Sequence, residues 1–133
     1  MNSTHCFRLS PNQDFKSEIS RYCTLHQISA GCIVSAVGSL SKTKLRLAGA
    51  GQFFESDKKF EIVSVTGTVS SNGSHLHISI ADTDGQVTGG HLVEGNLIYT
   101  TCEVVILKLE DFEFKREHDA VTGYNELQIK KLT

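Results

Sequence analysis

Apolar and polar residues alternate along most of this chain, and the period of the alternation changes once. Between Ser10 and Gly31 the apolar residues Phe15, Ile19, Tyr22 and Cys23 recur at helical spacing and make one apolar face. Ser10 is placed to cap this helix, Pro11 suits its first position, and Gln13, three residues on, completes a capping-box pattern. Gly31 reads as the terminator, and His26 falls near the helix end, where a cation favours the dipole. After Gly31 the period becomes that of strands. "CIVSAVGSL" reads as a buried strand running into a Gly-Ser turn, and "TKLRLAGAG" alternates. "KFEIVSVTGTVS" is rich in β-branched residues, with Gly67 marking a bulge or close approach. A hairpin turn "SSNG", the strand "SHLHISIA", a turn "DTDG", the segment "QVTGGHLVEG" and the run "NLIYTTCEVVILKLE" follow. The C-terminal "DFEFKREHDAVTGYNELQI" is polar with scattered aromatics and reads as a covering segment. Short turns between strands imply an α+β fold, a largely antiparallel sheet with one main amphipathic helix packed on it, as a single domain over residues 1–133.

The chemistry-bearing stretch is "SHLHISIADTDGQVTGGHL", residues 74–92, which holds His75, His77 and His91. In a strand, Leu76, Ile78 and Ile80 point one way, and His75 and His77 point the other. The turn and the Gly89-Gly90 pair allow His91 to fold back beside them, because glycine removes a side chain where backbones must come close. Three imidazoles around one point form the protein half of an open tetrahedral site, for which Zn²⁺ is the commonest ion; Ni²⁺, Co²⁺ or Fe²⁺ also fit. Spacing alone leaves open a solvated sheet face. Glu103 stands out within "YTTCEVVILKL". If buried there, it needs a partner, a proton or a metal: a histidine N–H, a place as fourth ligand, or an ion pair with an arginine such as Arg46; the other reading is an edge-exposed carboxylate, and exposure or an ion pair is favoured over ligation.

Composition narrows the function classes. Four cysteines, Cys6, Cys23, Cys32 and Cys102, form no C-x-x-C pair and sit among apolar residues, as reduced thiols acting as small hydrophobes do. Net charge is −2, and the basic residues come in small pairs such as Lys58-Lys59 and Lys130-Lys131, unlike a phosphate-binding face. No stretch is long and apolar enough to cross a bilayer. No basic segment followed by an apolar one opens the sequence, so a cytoplasmic location is expected. There is no dinucleotide loop, Walker loop, G-x-S-x-G or H-E-x-x-H.

Taken in order, "AGCIVSAVGSLSKTKL", "FEIVSVTGTVS", "HLHISIADTDGQVTGGHLVEG" and "CEVVILKLEDFEFKREHDAVTGYNEL" closely resemble the plants-and-prokaryotes-conserved (PPC) domain over nearly the whole chain. The resemblance implies a compact antiparallel α+β domain, a homotrimer, and a histidine-lined metal site that maps onto His75, His77 and His91. In plants such domains follow AT-hook segments and mediate assembly with themselves and with other factors. Here no Arg-Gly-Arg-Pro-like core occurs, so direct DNA binding is expected to be at most weak and sequence-independent, with DNA association through protein partners, and the net charge of a trimer opposes a polyanion. Three functions stand open: a trimeric binding or regulatory module that holds a metal; a small metal-dependent enzyme using a water on the three-histidine ion, with Glu103 as its acid/base; and DNA binding by surface lysines alone, which the charge disfavours.

Overall fold

A computed structural model describes residues 1–133. β1 (Ser3–Leu9) is followed by α1 (Phe15–Leu25) and then by eight strands. These are β2 (Gly31–Arg46), β3 (Phe53–Ser56), β4 (Phe60–Ser70), β5 (Gly73–Ala81), β6 (Val87–Leu92), β7 (Leu97–Lys108), β8 (Phe112–His118) and β9 (Asn125–Lys131). The α+β expectation holds: one helix, and a main sheet in which every pairing is antiparallel.

The helix forms where its apolar face requires, and Phe15, Ile19 and Cys23 are fully buried. Its ends lie elsewhere than the motifs suggest. Ser10 is not the cap. Asn12 takes a left-handed conformation (φ 69°), and Ser10 and Gln13 exchange hydrogen bonds across the resulting turn. The cap is Asp14, whose Oδ1 accepts from the Ser17 N–H at 3.0 Å. Its Oδ2 accepts from the N–H groups of Gly95 and Asn96, so the same carboxylate ties the helix start to the β6–β7 loop. Gly31 does not terminate the helix. The left-handed residue is Gln27 (φ 51°), with Gln27 N–H donating to Thr24 O and Ile28 N–H to Cys23 O. That pair of bonds is a Schellman arrangement, closed by a glutamine where glycine is usual, and Ile28 and Cys23 are both buried in the core.

The sheet runs β1-β7-β2-β4-β5-β6, and β3 pairs with the C-terminal part of β2. The expected Gly-Ser turn at residues 38–39 does not exist. β2 continues through it for 16 residues, with register shifts against β7 at that point. Because β2 is long and bent, its end also reaches β6, with Leu45 opposite Leu92 and Arg46 opposite His91. β2, β4, β5 and β6 therefore close on one another. One cluster of buried residues, including Leu40, Leu45, Val69, Leu76, Ile80, Leu92, Ile98 and Ile106, fills the space between sheet and helix.

Asn96 is a fully buried polar side chain at the β6–β7 junction. Its Nδ2 donates to Lys44 O (2.8 Å) and Val93 O (2.7 Å), and its Oδ1 accepts from Lys44 N–H (2.9 Å). The C-terminal segment lies outside the main sheet, as expected, but it is a hairpin of β8 and β9. It is anchored by buried Phe114, whose N–H donates to Ser29 O. Among the cysteines, Cys23 and Cys102 are buried and burial pushes their thiols up to about 11 and about 12, while Cys6 is exposed, unlike the small hydrophobe it was expected to be. No helix is long and apolar enough to cross a membrane.

Candidate metal centre

The alternation along β5 does what its residues dictate. Leu76, Ile78 and Ile80 enter the core, and His75 and His77 stand on the opposite face. β6 runs antiparallel beside β5, and its register sets His91 directly opposite His77. The glycines make that register possible. A Cβ at Gly90 would lie 2.8 Å from Arg46 O, and one at Gly89 would overlap Ile78 O, so larger residues would push β6 away from β2 or β5. Gly67 on β4 (φ 146°) likewise lets β4 pass against the carbonyl of His75.

The three imidazoles thus converge. One ligand atom from each of His75, His77 and His91 lies within 4.8 Å of the others. The Nε2 atoms of His75 and His77 are 3.2 Å apart. Two nitrogens bound tetrahedrally at the usual zinc distance stand about 3.3 Å apart. His91 Nδ1 is buried and has no hydrogen-bond partner, an unmet polar atom of the kind that a bound ion or water satisfies. Burial, followed by the charge of Arg46, pushes the His91 ring down to about 4. Burial, followed by His77 and Arg116, lowers His75. Both rings are therefore neutral donors near pH 7, the form that binds metal. The residues present fit a divalent ion such as Zn²⁺.

Glu103 is not part of this arrangement. It is exposed on β7, opposite Val37 of β2 and Arg8 of β1, on the sheet face away from the core. Its apolar neighbours Val104 and Ile106 are buried because they point the other way. Nor does Arg46 pair with it, since Arg46 stands opposite His91.

Of the groups that do surround the histidines, only Arg46 stands out in the sequence, and there as an ion-pair partner for Glu103. A cleft of about 710 Å³ opens beside His77 and His91, lined also by Arg46, Ser79 and Tyr124. A second recess, lined by Arg46, His75, Arg116, Tyr124 and Glu126, adjoins it. Arg46 lies over the Tyr124 ring at 5.7 Å, and Arg116 Nη2 donates to Thr68 Oγ1 at 2.9 Å. Thr68 is the register partner of His75, so this bond holds Arg116 beside the imidazoles. Arg116, Tyr124 and Glu126 come from the C-terminal hairpin, more than 20 residues from the nearest of the three histidines in sequence.

Comparison with known proteins bears on the family and the fold. The model of the Plants and Prokaryotes Conserved (PCC) domain matches residues 1–110. A structure of a hypothetical protein from Salmonella superposes with a TM-score of 0.93 at 34% identity, covering 98% of this chain and 95% of that one. A metal-containing protein from Archaeoglobus fulgidus superposes with a TM-score of 0.82 at 26% identity, covering 95% and 93%. The bifunctional protein GlmU of Synechococcus sp. (strain JA-3-3Ab) is 42% identical over 125 residues, which are 94% of this chain. The chain spans only 20% of that protein's length.

Proposed function

Since this chain belongs to the Plants and Prokaryotes Conserved domain family, we propose that it is a trimeric binding or regulatory module that holds one divalent ion, most simply Zn²⁺, on His75, His77 and His91. The observation that carries the reading is the convergence of three imidazoles, with ligand atoms within 4.8 Å of one another and the His75–His77 pair at tetrahedral spacing, beside a buried, unpartnered nitrogen on His91. The Archaeoglobus fulgidus relative, described as metal-containing, supports it. A trimer is supported by the open sheet face, where Val34, Val37 and Val63 are each more than half exposed and would gain from being covered by a second copy. DNA, where the module meets it, is reached through protein partners. Several of its lysines already face carboxylates, such as Lys44 with Glu55 and Lys115 and Lys130 with Glu113.

The second reading, a small metal-dependent enzyme, is favoured by one feature: the histidines border an open cleft instead of being sealed in. When bound, the ion would supply Lewis acidity to a ligand in that cleft. Arg46 and Arg116 would orient such a ligand, and Glu126, whose charge reaches His75, is the carboxylate placed to exchange protons there. Elemental analysis of the purified protein and of His77→Ala, with oligomeric mass from light scattering, tests the proposal. It expects about one metal per chain, lost in the variant with the fold retained, and a mass near three chains. Equal metal content in the two proteins refutes the site, and a stable monomer at micromolar concentration refutes the trimer.

A further inference from the structure

We propose that the occupant of the cleft is a small oxyanion, a carboxylate or phosphate, held between the three-histidine ion and the guanidinium groups of Arg46 and Arg116. This rests on the metal reading above and adds the class of ligand. Neither arginine has a carboxylate within salt-bridge distance, although five other ion pairs occur in the protein. Both are half-buried. Their identified side-chain contacts are with neutral groups: the Tyr124 ring for Arg46 and the Thr68 hydroxyl for Arg116. A guanidinium presents five N–H donors in a planar fork that matches a carboxylate or phosphate edge. Most of those donors are free here.

Placement reinforces the point. Arg46 is fixed by register opposite His91, and Arg116 is hooked to the residue opposite His75, so the two charges flank the imidazoles from different sides. With a divalent ion added, two cations and a metal face one carboxylate, Glu126, across a cleft sized for a small molecule. Such an excess of positive charge is balanced by an anion whose one oxygen takes the ion's open position while the others accept from the arginines.

The test uses the full chain loaded with Co²⁺, whose visible absorption reports a change of ligand. Inorganic phosphate and acetate are titrated in separately, with cobalt content measured on each sample. Phosphate, acetate or both should change the spectrum saturably. Arg46→Gln and Arg116→Gln should each weaken that binding about tenfold or more at unchanged cobalt content. Arg116 lies on the peripheral hairpin, so its variant reports even if the strand variant fails to fold. A cobalt-loaded protein whose spectrum ignores both anions overturns the proposal, as do arginine variants that bind like the wild type. Displacement of phosphate by duplex DNA would assign the arginines to a nucleic-acid backbone and overturn it too. A protein that takes up no cobalt overturns the three-histidine reading itself, and this one with it.

Discussion

Replacing Asn96 by alanine tests how the site's framework is held. The side chain is fully buried and bonds three backbone groups: the N–H and C=O of Lys44 and the C=O of Val93. Truncation orphans all three. At about 1–3 kcal/mol for each buried unsatisfied group the gross cost is roughly 3–9 kcal/mol. The space left by the amide admits one water, which can satisfy two of the three. A net loss of about 3 kcal/mol follows, and for a domain of this length that lowers Tm by roughly 10 °C. The assay is urea unfolding at fixed protein concentration, read as a shift in midpoint with the slope unchanged. Asn96→Asp sharpens the test. Its carboxylate would face two carbonyl oxygens where the amide donated, so it should be less stable than the alanine variant at pH 7. It should recover as pH falls, because the buried acid has a raised pKa and the folded state then binds more protons than the unfolded one. A loss below about 1 kcal/mol for Asn96→Ala would show that the three bonds are replaced by solvent at no cost, and the argument would fail.

Gly90→Ala should drop metal content well below one per chain while circular dichroism still reports a sheet, because the added Cβ, 2.8 Å from Arg46 O, displaces the strand that carries His91. Zinc release, followed with a chromophoric chelator, should have its midpoint below pH 6.5. Depressed ring pKa values, about 4 for His91, mean that protons compete for the donors only at lower pH, and a midpoint above 6.5 would contradict the cause given for the shift. The metal-free protein should lose stability as pH falls from 6.5 toward 4, where the unfolded chain takes up a proton that folded His91 refuses; a flat profile of unfolding midpoint against pH would refute this. Asp14→Ala should cost about 2 kcal/mol in urea unfolding, since three backbone N–H groups lose one acceptor.

The parts of this structure that could be read from the sequence are those set by local period. Alternation along residues 74–81 placed His75 and His77 on one face, and the Gly-Gly pair announced the close approach that brings His91 across from His77. The helix face was legible from Phe15, Ile19 and Cys23, but not the helix ends. The Ser10–Gln13 pattern marks a turn and not the cap, because the left-handed Asn12 moves the helix start to Asp14; at its end the left-handed residue is a glutamine. For Glu103 the apolar run leaves burial and exposure both open, because the sequence does not say whether one face of the strand or both are covered. In the fold, β7 buries Val104 and Ile106 and leaves the other face open.

What no period could reveal is the ring of groups around the histidines, and the reason is topological. Arg46 arrives because β2 is long enough to leave β7 and meet β6, a pairing of two residues at each strand's end. Arg116 and Tyr124 arrive because the C-terminal hairpin, outside the region matched by the family model, folds back over the mouth of the closed strands. The histidines sit on the part of the chain that the family model covers, while part of the charge that would select a ligand comes from the appended hairpin. On the proposed reading, metal affinity rests on the first segment, and ligand choice is shared between Arg46 on it and Arg116 on the hairpin. Changes in β8 and β9 should therefore alter what binds in the cleft without altering whether an ion is held, whereas changes at His75, His77, Gly90 or His91 should remove the ion and the anion that it anchors together. A variant lacking Arg116 that keeps its metal but loses anion binding would show that separation. One that loses both would mean that the hairpin is part of the metal site's own framework.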